Sequence, residues 1–332
     1  HLSISKAKGV YHCFYAGCNF NGILTDFCKA DRPMFPQYAA GAAGYAPTRS
    51  GNRYKTARND AQSTTGEVPM LPSDYKPLTA EVMQKIKPLT DSPDCTDPDQ
   101  LAARRYLLDQ GISLATAITA RIGCLRHYCI TKDSENKSEQ ASNVFPCIAY
   151  VNYVDGHPVN AKYRSCSPSP SARQEEGKPT VYSKFWGQDS PTTPCAPYNI
   201  DCLNPLLVEE ETIPRVIVVE GEKDTLVLAE AGYRYVISVP SGAASDLGKS
   251  FEAFLPWLEQ VDHIVVCGDT DLPGRTLTKR LSDYFNARCL FVTLPGGCKD
   301  IGDVMLQYGI EVVRSVIDGA SVRHTCLLYT SP

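Results

Sequence analysis

Arg215-Val-Ile-Val-Val-Glu220-Gly-Glu222-Lys-Asp224 opens the stretch that decides the fold. His263-Ile-Val-Val-Cys-Gly-Asp269-Thr-Asp271-Leu-Pro-Gly274-Arg275 continues it, and Cys298-Lys299-Asp300-Ile-Gly-Asp303-Val closes it. The first two pieces hold a short apolar run that ends in acid. Val216–Val219 and Ile264–Val266 are continuously apolar, as expected of strands buried on both faces. Tyr235–Val239 and Leu290–Val292 read as two more strands. Helical patterns fall between and after them, at Asp224–Ala231, Asp246–Leu258, Leu272–Phe285 and Ile301–Gln307. Strand alternating with helix predicts an α/β domain with a parallel sheet flanked by helices. Such sheets bind ligands at the carboxyl ends of their strands, which is where these acids fall.

The spacing of the acids suggests a chemistry. Asp269 and Asp271 are two apart, so an extended segment points them to one side, and Glu220 ends a separate strand that can face them. Clustered carboxylates resist joint ionisation unless a cation lies between them. Hard oxygen ligands in ones and twos suit Mg²⁺ or Mn²⁺. An ion so held activates a hydroxyl nucleophile and neutralises a leaving phosphate.

These residues also carry a resemblance. Glu220-Gly-Glu-Lys-Asp, Gly268-Asp-Thr-Asp-Leu-Pro-Gly-Arg and Lys299-Asp-Ile-Gly-Asp resemble, in order, the three signature motifs of a Toprim domain, a fold shared by bacterial-type primases, topoisomerases and some nucleases. The resemblance covers about a hundred residues. It implies that Glu220, Asp269 and Asp271 are catalytic and hold Mg²⁺ (or Mn²⁺). Asp300 joins them as a metal residue, and Glu222, Asp224 and Asp303 are weaker candidates. Ser238-Val-Pro-Ser-Gly242 is similar to a further element of the family, with Ser241 where glycine is usual.

Composition sets the outer bounds. The 332 residues allow two or three domains, and 43% apolar with 21% charged content is ordinary for a globular chain. A net charge of −4 excludes a global basic signal, so any nucleic-acid surface must be local. No apolar run approaches the length needed to span a membrane. The 14 cysteines read as thiols, core residues or metal ligands in a cytoplasmic protein. The chain starts without Met, and Cys326–Pro332 resembles a translated adaptor sequence. Both ends are therefore expected to be cut, with residues 326–332 a non-native tail.

Residues 1–29 contain Tyr11-His-Cys13-Phe-Tyr-Ala-Gly-Cys18. Two cysteines with four residues between them, among glycines and aromatics, read as half of a zinc knuckle, Cys13 and Cys18 being the candidate Zn²⁺ ligands. A buried pair of thiols is the plainer alternative. The segment resembles the second half of the zinc ribbon of phage-type and bacterial primases, with four residues rather than two between the cysteines. In that family the ribbon helps to recognise the template. Residues 30–98, rich in Pro, Gly, Ser and Thr, read as a flexible linker.

Residues 99–212 read as a small α+β subdomain. Asp99–Gly123 is helical with a break at Gly111, and Gln110-Gly-Ile-Ser resembles the element that opens the polymerase core of many primases. Cys124–Cys129 and Val144–Tyr153 read as strands. Asp155-Gly156 forms a hairpin turn, and Pro158–Tyr163 returns. Lys162, Arg164 and Lys184 alternate with Tyr163 and Trp186, a pattern suited to single-stranded nucleic acid. A solvated hairpin face is the alternative. The segment is similar to the basic subdomain that precedes Toprim in phage and mitochondrial primases. That resemblance assigns Lys162, Arg164 and Lys184 to template and triphosphate, and Arg275 and Lys299 are further candidates for phosphate.

The expected whole is a partial zinc ribbon (1–29), a linker (30–98), a basic subdomain (99–212) and a Toprim domain (213–320). Its expected activity is a DNA primase, the primase part of a phage primase-helicase in a bacterial cytoplasm. Its expected partners are single-stranded DNA, ribonucleoside triphosphates and a replicative helicase in cis or in trans. No P-loop occurs in the 332 residues, so a helicase ATPase would lie beyond them. A Toprim nuclease or topoisomerase, and an inactive nucleic-acid-binding module, are the rival readings.

Overall fold

The computed structural model describes residues 2–5, 10–13, 21–23, 70–129, 143–169, 180–183, 185–208 and 212–322. The chain divides into two compact units, residues 1–64 and 65–332. In the first, β1 (Leu2–Ser5), β2 (Val10–Cys13) and β3 (Asn21–Ile23) form a small antiparallel sheet in that order. Cys13 ends β2, described there by its backbone, and Cys18 lies outside the described residues.

The second unit is built on two sheets. The first is antiparallel, with strand order β4 (Lys87–Pro88), β5 (Gly123–Cys129), β6 (Asn143–Val154), β7 (His157–Ser165) and β8 (Trp186–Asp189). The β6–β7 hairpin turns at Asp155 and Gly156, whose φ values of +51° and +74° match the right-handed twist of the strands on either side. Helix α1 (Pro98–Asp109) packs on the sheet, and α2 (Leu114–Thr119) packs against α1. Gly111 stands between them at φ +72°, the left-handed backbone that lets the chain reverse.

The second sheet is wholly parallel, with strand order β10 (Val236–Ser238), β9 (Ile213–Val219), β11 (Val261–Cys267) and β12 (Cys289–Phe291). Both faces are covered, as the unbroken apolar runs predict. Ile217, Val219, Val265 and Cys267 pack with Tyr106, Leu107, Leu226 and Val304 on one side. Val216, Val218, Ile264 and Val266 pack with Phe251, Phe254, Leu277 and Leu281 on the other. The covering helices include α3 (Glu222–Glu230), α4 (Leu272–Phe285), α5 (Ile301–Tyr308) and α6 (Ile310–Asp318). The helices α1 and α2 share the first of these cores, so the antiparallel part and the parallel sheet fold around common apolar side chains.

Two expectations need correction. Residues 70–98, inside the expected linker, are folded. Tyr75, Leu78, Ile86 and Leu89 are buried, Ala80–Lys85 is helical, and β4 pairs with β5. Pro88 is tolerated there because β4 is an edge strand. The single helix expected over Asp246–Leu258 is instead Leu247–Phe251, a 3₁₀ turn at Glu252–Phe254, and Leu255–Leu258. Pro256 lacks the N–H that a continuous helix needs, and its ring crowds the preceding turn.

Candidate functional site

The order β10-β9-β11-β12 has a consequence for chemistry. The chain leaves β9 toward β10 on one side and later continues from β11 to β12 on the other. The carboxyl ends of β9 and β11 therefore flank the topological switch point, where open α/β sheets form their crevice. Register sets Val219 beside Cys267, so Glu220 and the Gly268–Asp271 turn leave the sheet side by side.

Close backbone approach shapes this edge. A Cβ on Gly274 would come within 2.5 Å of both Cβ and the carbonyl oxygen of Asp269. Only glycine lets α4 start against the turn that carries the acids. Gly242, at φ +53°, faces Glu220, whose Oε1 would lie 3.0 Å from an added Cβ. Glu220 is thus held in a fold of backbone at the end of β10.

Four aspartates share the crevice with two lysines. The Lys299 ammonium lies 3.1 Å from Asp269 and 3.2 Å from Asp271. The Lys223 ammonium lies 3.1 Å from Asp300 and 3.5 Å from Asp224. Burial and the nearby Asp300 and Asp269 push Asp224 up to about 7 against the pull of Lys223. Burial also raises Asp269, opposed by Lys299 and reinforced by Asp300 and Asp271. Asp271 is lowered, first because it accepts from the Gly274 N–H at 2.9 Å as the N-cap of α4, then through Lys299. Burial works against the Lys299 charge, but Asp269 and Asp271 outweigh it and keep the ammonium protonated.

Backbone contacts tie the motifs together. The Thr270 N–H donates to the Lys299 carbonyl at 2.8 Å, and the Thr270 hydroxyl to the Cys298 carbonyl at 3.1 Å. Asp300 caps α5 by accepting from the Asp303 N–H at 2.8 Å, and Asp303 accepts from the Lys299 N–H at 2.8 Å. Among the described residues, no three His, Cys, Asp or Glu side chains stand close enough to enclose an ion as they are. The donor set nevertheless fits a hard divalent cation. It consists of carboxylates, two of them raised by burial first and by their acidic neighbours second, with lysine ammoniums supplying the positive charge between each pair.

Beside this edge lies a cleft of about 720 Å³. Lys162, Arg164, Trp186 and Gln188 enter from β7 and β8, Tyr106 from α1, and Glu222 and Lys223 from the first turn of α3. Trp186 is 66% exposed, a large ring offered to solvent. Lys162 is committed within the protein. Its ammonium lies 2.5 Å from Glu222 and also donates to the Pro240 carbonyl, joining the two sheets across the cleft. Arg275 turns back on its own loop, with Nη1 donating to the Thr270 carbonyl at 2.7 Å. Lys184 lies outside the described residues.

Lys223 and the cleft tyrosines did not stand out in the sequence. Lys223 sits in an acidic motif, where it reads as an exposed helix-start lysine. Its role appears only when α3 faces the Lys299–Asp303 loop. Tyr106 and Tyr182 meet edge to face at 4.9 Å from distant parts of the chain, and no local pattern announces such a contact.

Comparison with known proteins places part of this chain. Residues 215–293, which carry the parallel sheet, match the family model described as a Toprim domain. A "Primase homolog protein" of Arabidopsis thaliana is 29% identical over 127 residues, covering 32% of this chain and 37% of that protein. A "Twinkle homolog protein, chloroplastic/mitochondrial" of the same plant is 25% identical over 189 residues, covering 51% of this chain and 23% of that protein. The chain thus spans well under half the length of these curated relatives. Among solved structures, the primase fragment of the bacteriophage T7 primase-helicase protein aligns at 18% identity with a TM-score of 0.45, covering 64% of this chain and 73% of that one. The RNA polymerase domain of Mycobacterium tuberculosis primase DnaG aligns at 16% identity with a TM-score of 0.47, covering 68% and 78%. Among the described residues, no helix is long and apolar enough to cross a membrane.

Proposed function

We propose that this chain is a DNA primase that joins ribonucleoside triphosphates into short RNA primers on single-stranded DNA. One observation carries the reading. The first turn of α3 faces the acid cluster through Lys223 and Asp224 and the cleft through Glu222 and Lys223. A metal-type carboxylate set and a basic, aromatic cleft of nucleotide size therefore share one wall. The motif order of the Toprim-like segment and the names of the two plant relatives point the same way.

Glu220, Asp269 and Asp271, with Asp300, would hold Mg²⁺ or Mn²⁺. Such an ion supplies acidification of the attacking hydroxyl and neutralisation of the pyrophosphate that leaves. The chain's own groups do the rest. Arg164 and Lys223 set positive charge along the cleft for the triphosphate or the template backbone, and Trp186 offers a face for a base to stack on. Lys162 acts by holding β7 to the Toprim edge rather than as an unpaired phosphate ligand. Lys299 keeps Asp269 and Asp271 from repelling each other apart, so the pair stays together in the resting chain. Zinc at Cys13 and Cys18, and a replicative helicase in cis or in trans, belong to the same reading of the full protein. The curated relatives reported above are both plant proteins, so the bacterial-cytoplasm and phage setting expected from the sequence gains no support from them.

The test is primer synthesis on mixed-sequence single-stranded DNA with labelled ribonucleotides and Mg²⁺, wild type beside Asp269→Ala. Short labelled RNA from the wild type, reduced at least about 100-fold in the variant, is the expected result. Nicked or degraded DNA in place of RNA would replace the primase with a Toprim nuclease. Failure even to extend a preformed RNA primer would leave a nucleic-acid-binding module without activity.

A further inference from the structure

Lys223 is built into the acid cluster. It belongs to the first turn of α3, and its ammonium lies 3.1 Å from Asp300 and 3.5 Å from Asp224. The Asp224 and Asp300 side chains are only 10% and 16% exposed. The ammonium also rests against the first turn of α5. A Cβ on Gly302 would come within 2.5 Å of Lys223 Nζ and 3.1 Å of its Cε. A side chain at residue 302 would therefore push the ammonium out from between the carboxylates.

Each Asp300 oxygen already holds a partner. Oδ2 accepts from the Lys223 ammonium at 3.1 Å, and Oδ1 from the Asp303 N–H at 2.8 Å. Burial works against the Lys223 charge, but Asp224 and Asp300 outweigh it and keep the ammonium protonated. Lys299 is placed differently. Its tip lies between Asp269 and Asp271, yet its side chain is 55% exposed, against 27% for Lys223. Its stem is long and flexible, and solvent is there for it to swing into when an ion reaches Asp269 and Asp271. Lys223 is held between the starts of α3 and α5.

Where two divalent ions act together on a phosphate, they sit about 3.5–4 Å apart. Beyond Asp271, the carboxylates that act on Asp269 and its neighbours are Asp300 and Asp224, and the ammonium already lies on both. We propose that the Lys223 ammonium takes the place of a second divalent cation, so that this edge binds one ion, at Glu220, Asp269 and Asp271. This rests on the metal role proposed above for the acids. Asp300 lends its charge to that ion while it stays paired with the ammonium. The fixed positive charge of Lys223 repels a second ion from the pair it occupies.

The experiment counts ions. The full chain, stripped with EDTA and freed of the chelator, is titrated with Mn²⁺ by calorimetry, wild type beside Lys223→Met and Asp269→Asn. One saturable Mn²⁺ is expected for wild type. Asp269→Asn should weaken it at least about 10-fold, since even groups behind the ligands of a metal are worth that much. Lys223→Met, which removes the ammonium and keeps the length of the stem, should bind two. Two ions on wild type, or one on Lys223→Met, would overturn the inference and leave the metal role of the acids intact. No saturable Mn²⁺ on wild type, or an ion indifferent to Asp269→Asn, would overturn both. Melting curves cover a variant that is unstable without metal. Lys223→Met leaves Asp224 and Asp300 facing each other and should melt below wild type in EDTA. Saturating Mn²⁺ should raise its melting temperature by more than it raises that of wild type, because a second bound ion adds to the stabilisation. Equal rises would overturn the inference.

Discussion

Asp224 is buried, lies 3.5 Å from the Lys223 ammonium and is pushed up to about 7 by burial and by Asp300 and Asp269. In the unfolded chain it ionises near the ordinary aspartate value of about 3.9. Below that value both states hold the proton, and the group costs the fold nothing. Between about pH 4 and pH 7 the unfolded chain releases a proton that the folded chain keeps, so stability falls as pH rises through that window. Asp224→Asn keeps the shape and cannot ionise. In EDTA its melting temperature should match wild type near pH 4 and exceed it above pH 7, on the order of 2–4 °C for each kcal/mol recovered. Melting curves from pH 4 to 8 check this, and parallel profiles for the two proteins would refute it.

At the scale of elements, two of the expected metal carboxylates are also helix N-caps. Asp271 accepts from the Gly274 N–H at the start of α4, and Asp300 from the Asp303 N–H at the start of α5. The two roles can be separated. Asp271→Ala removes cap and charge and should lower the urea-unfolding free energy by about 1 kcal/mol. Asp271→Asn keeps a good capping side chain and should leave stability within a few tenths of that of wild type. Primer synthesis should fall in both variants if the charge matters, whereas a purely structural Asp271 would let Asp271→Asn retain activity. Much at this scale was legible in the sequence. The β-branched runs at Val216–Val219 and Ile264–Val266 lie in the carboxyl-terminal halves of β9 and β11, because residues buried on both faces show no alternation. Leu272–Phe285 is helical over the expected span, since Asp271 and Pro273 mark its start. What was not legible depends on contacts between distant segments. Lys162 reads as a free basic residue on a hairpin until α3 brings Glu222 to it. Residues 70–98 read as tether because their few apolar side chains have no period of their own and gain meaning only against β5 and β6.

The whole chain tests that last point. Residues 65–332 form one compact unit and residues 1–64 another, so a fragment of residues 65–322 should keep every core described above. It should unfold in one cooperative transition within a few degrees of the full chain. A fragment of residues 99–322 begins at the expected domain boundary and should behave differently. It loses β4, which exposes β5 as a new sheet edge. It also uncovers the surface on which Tyr75, Leu78, Ile86 and Leu89 are buried. Full burial of an aliphatic side chain contributes roughly 1.5–3 kcal/mol, and Leu78, Ile86 and Leu89 are each less than a tenth exposed. Their combined loss is comparable to the net stability of a domain, about 5–15 kcal/mol. The shorter fragment is therefore expected to aggregate or to melt at least about 10 °C below the longer one. Calorimetry of the two fragments decides it. Equal melting temperatures would mean that residues 70–98 are only draped on the core, as a linker would be.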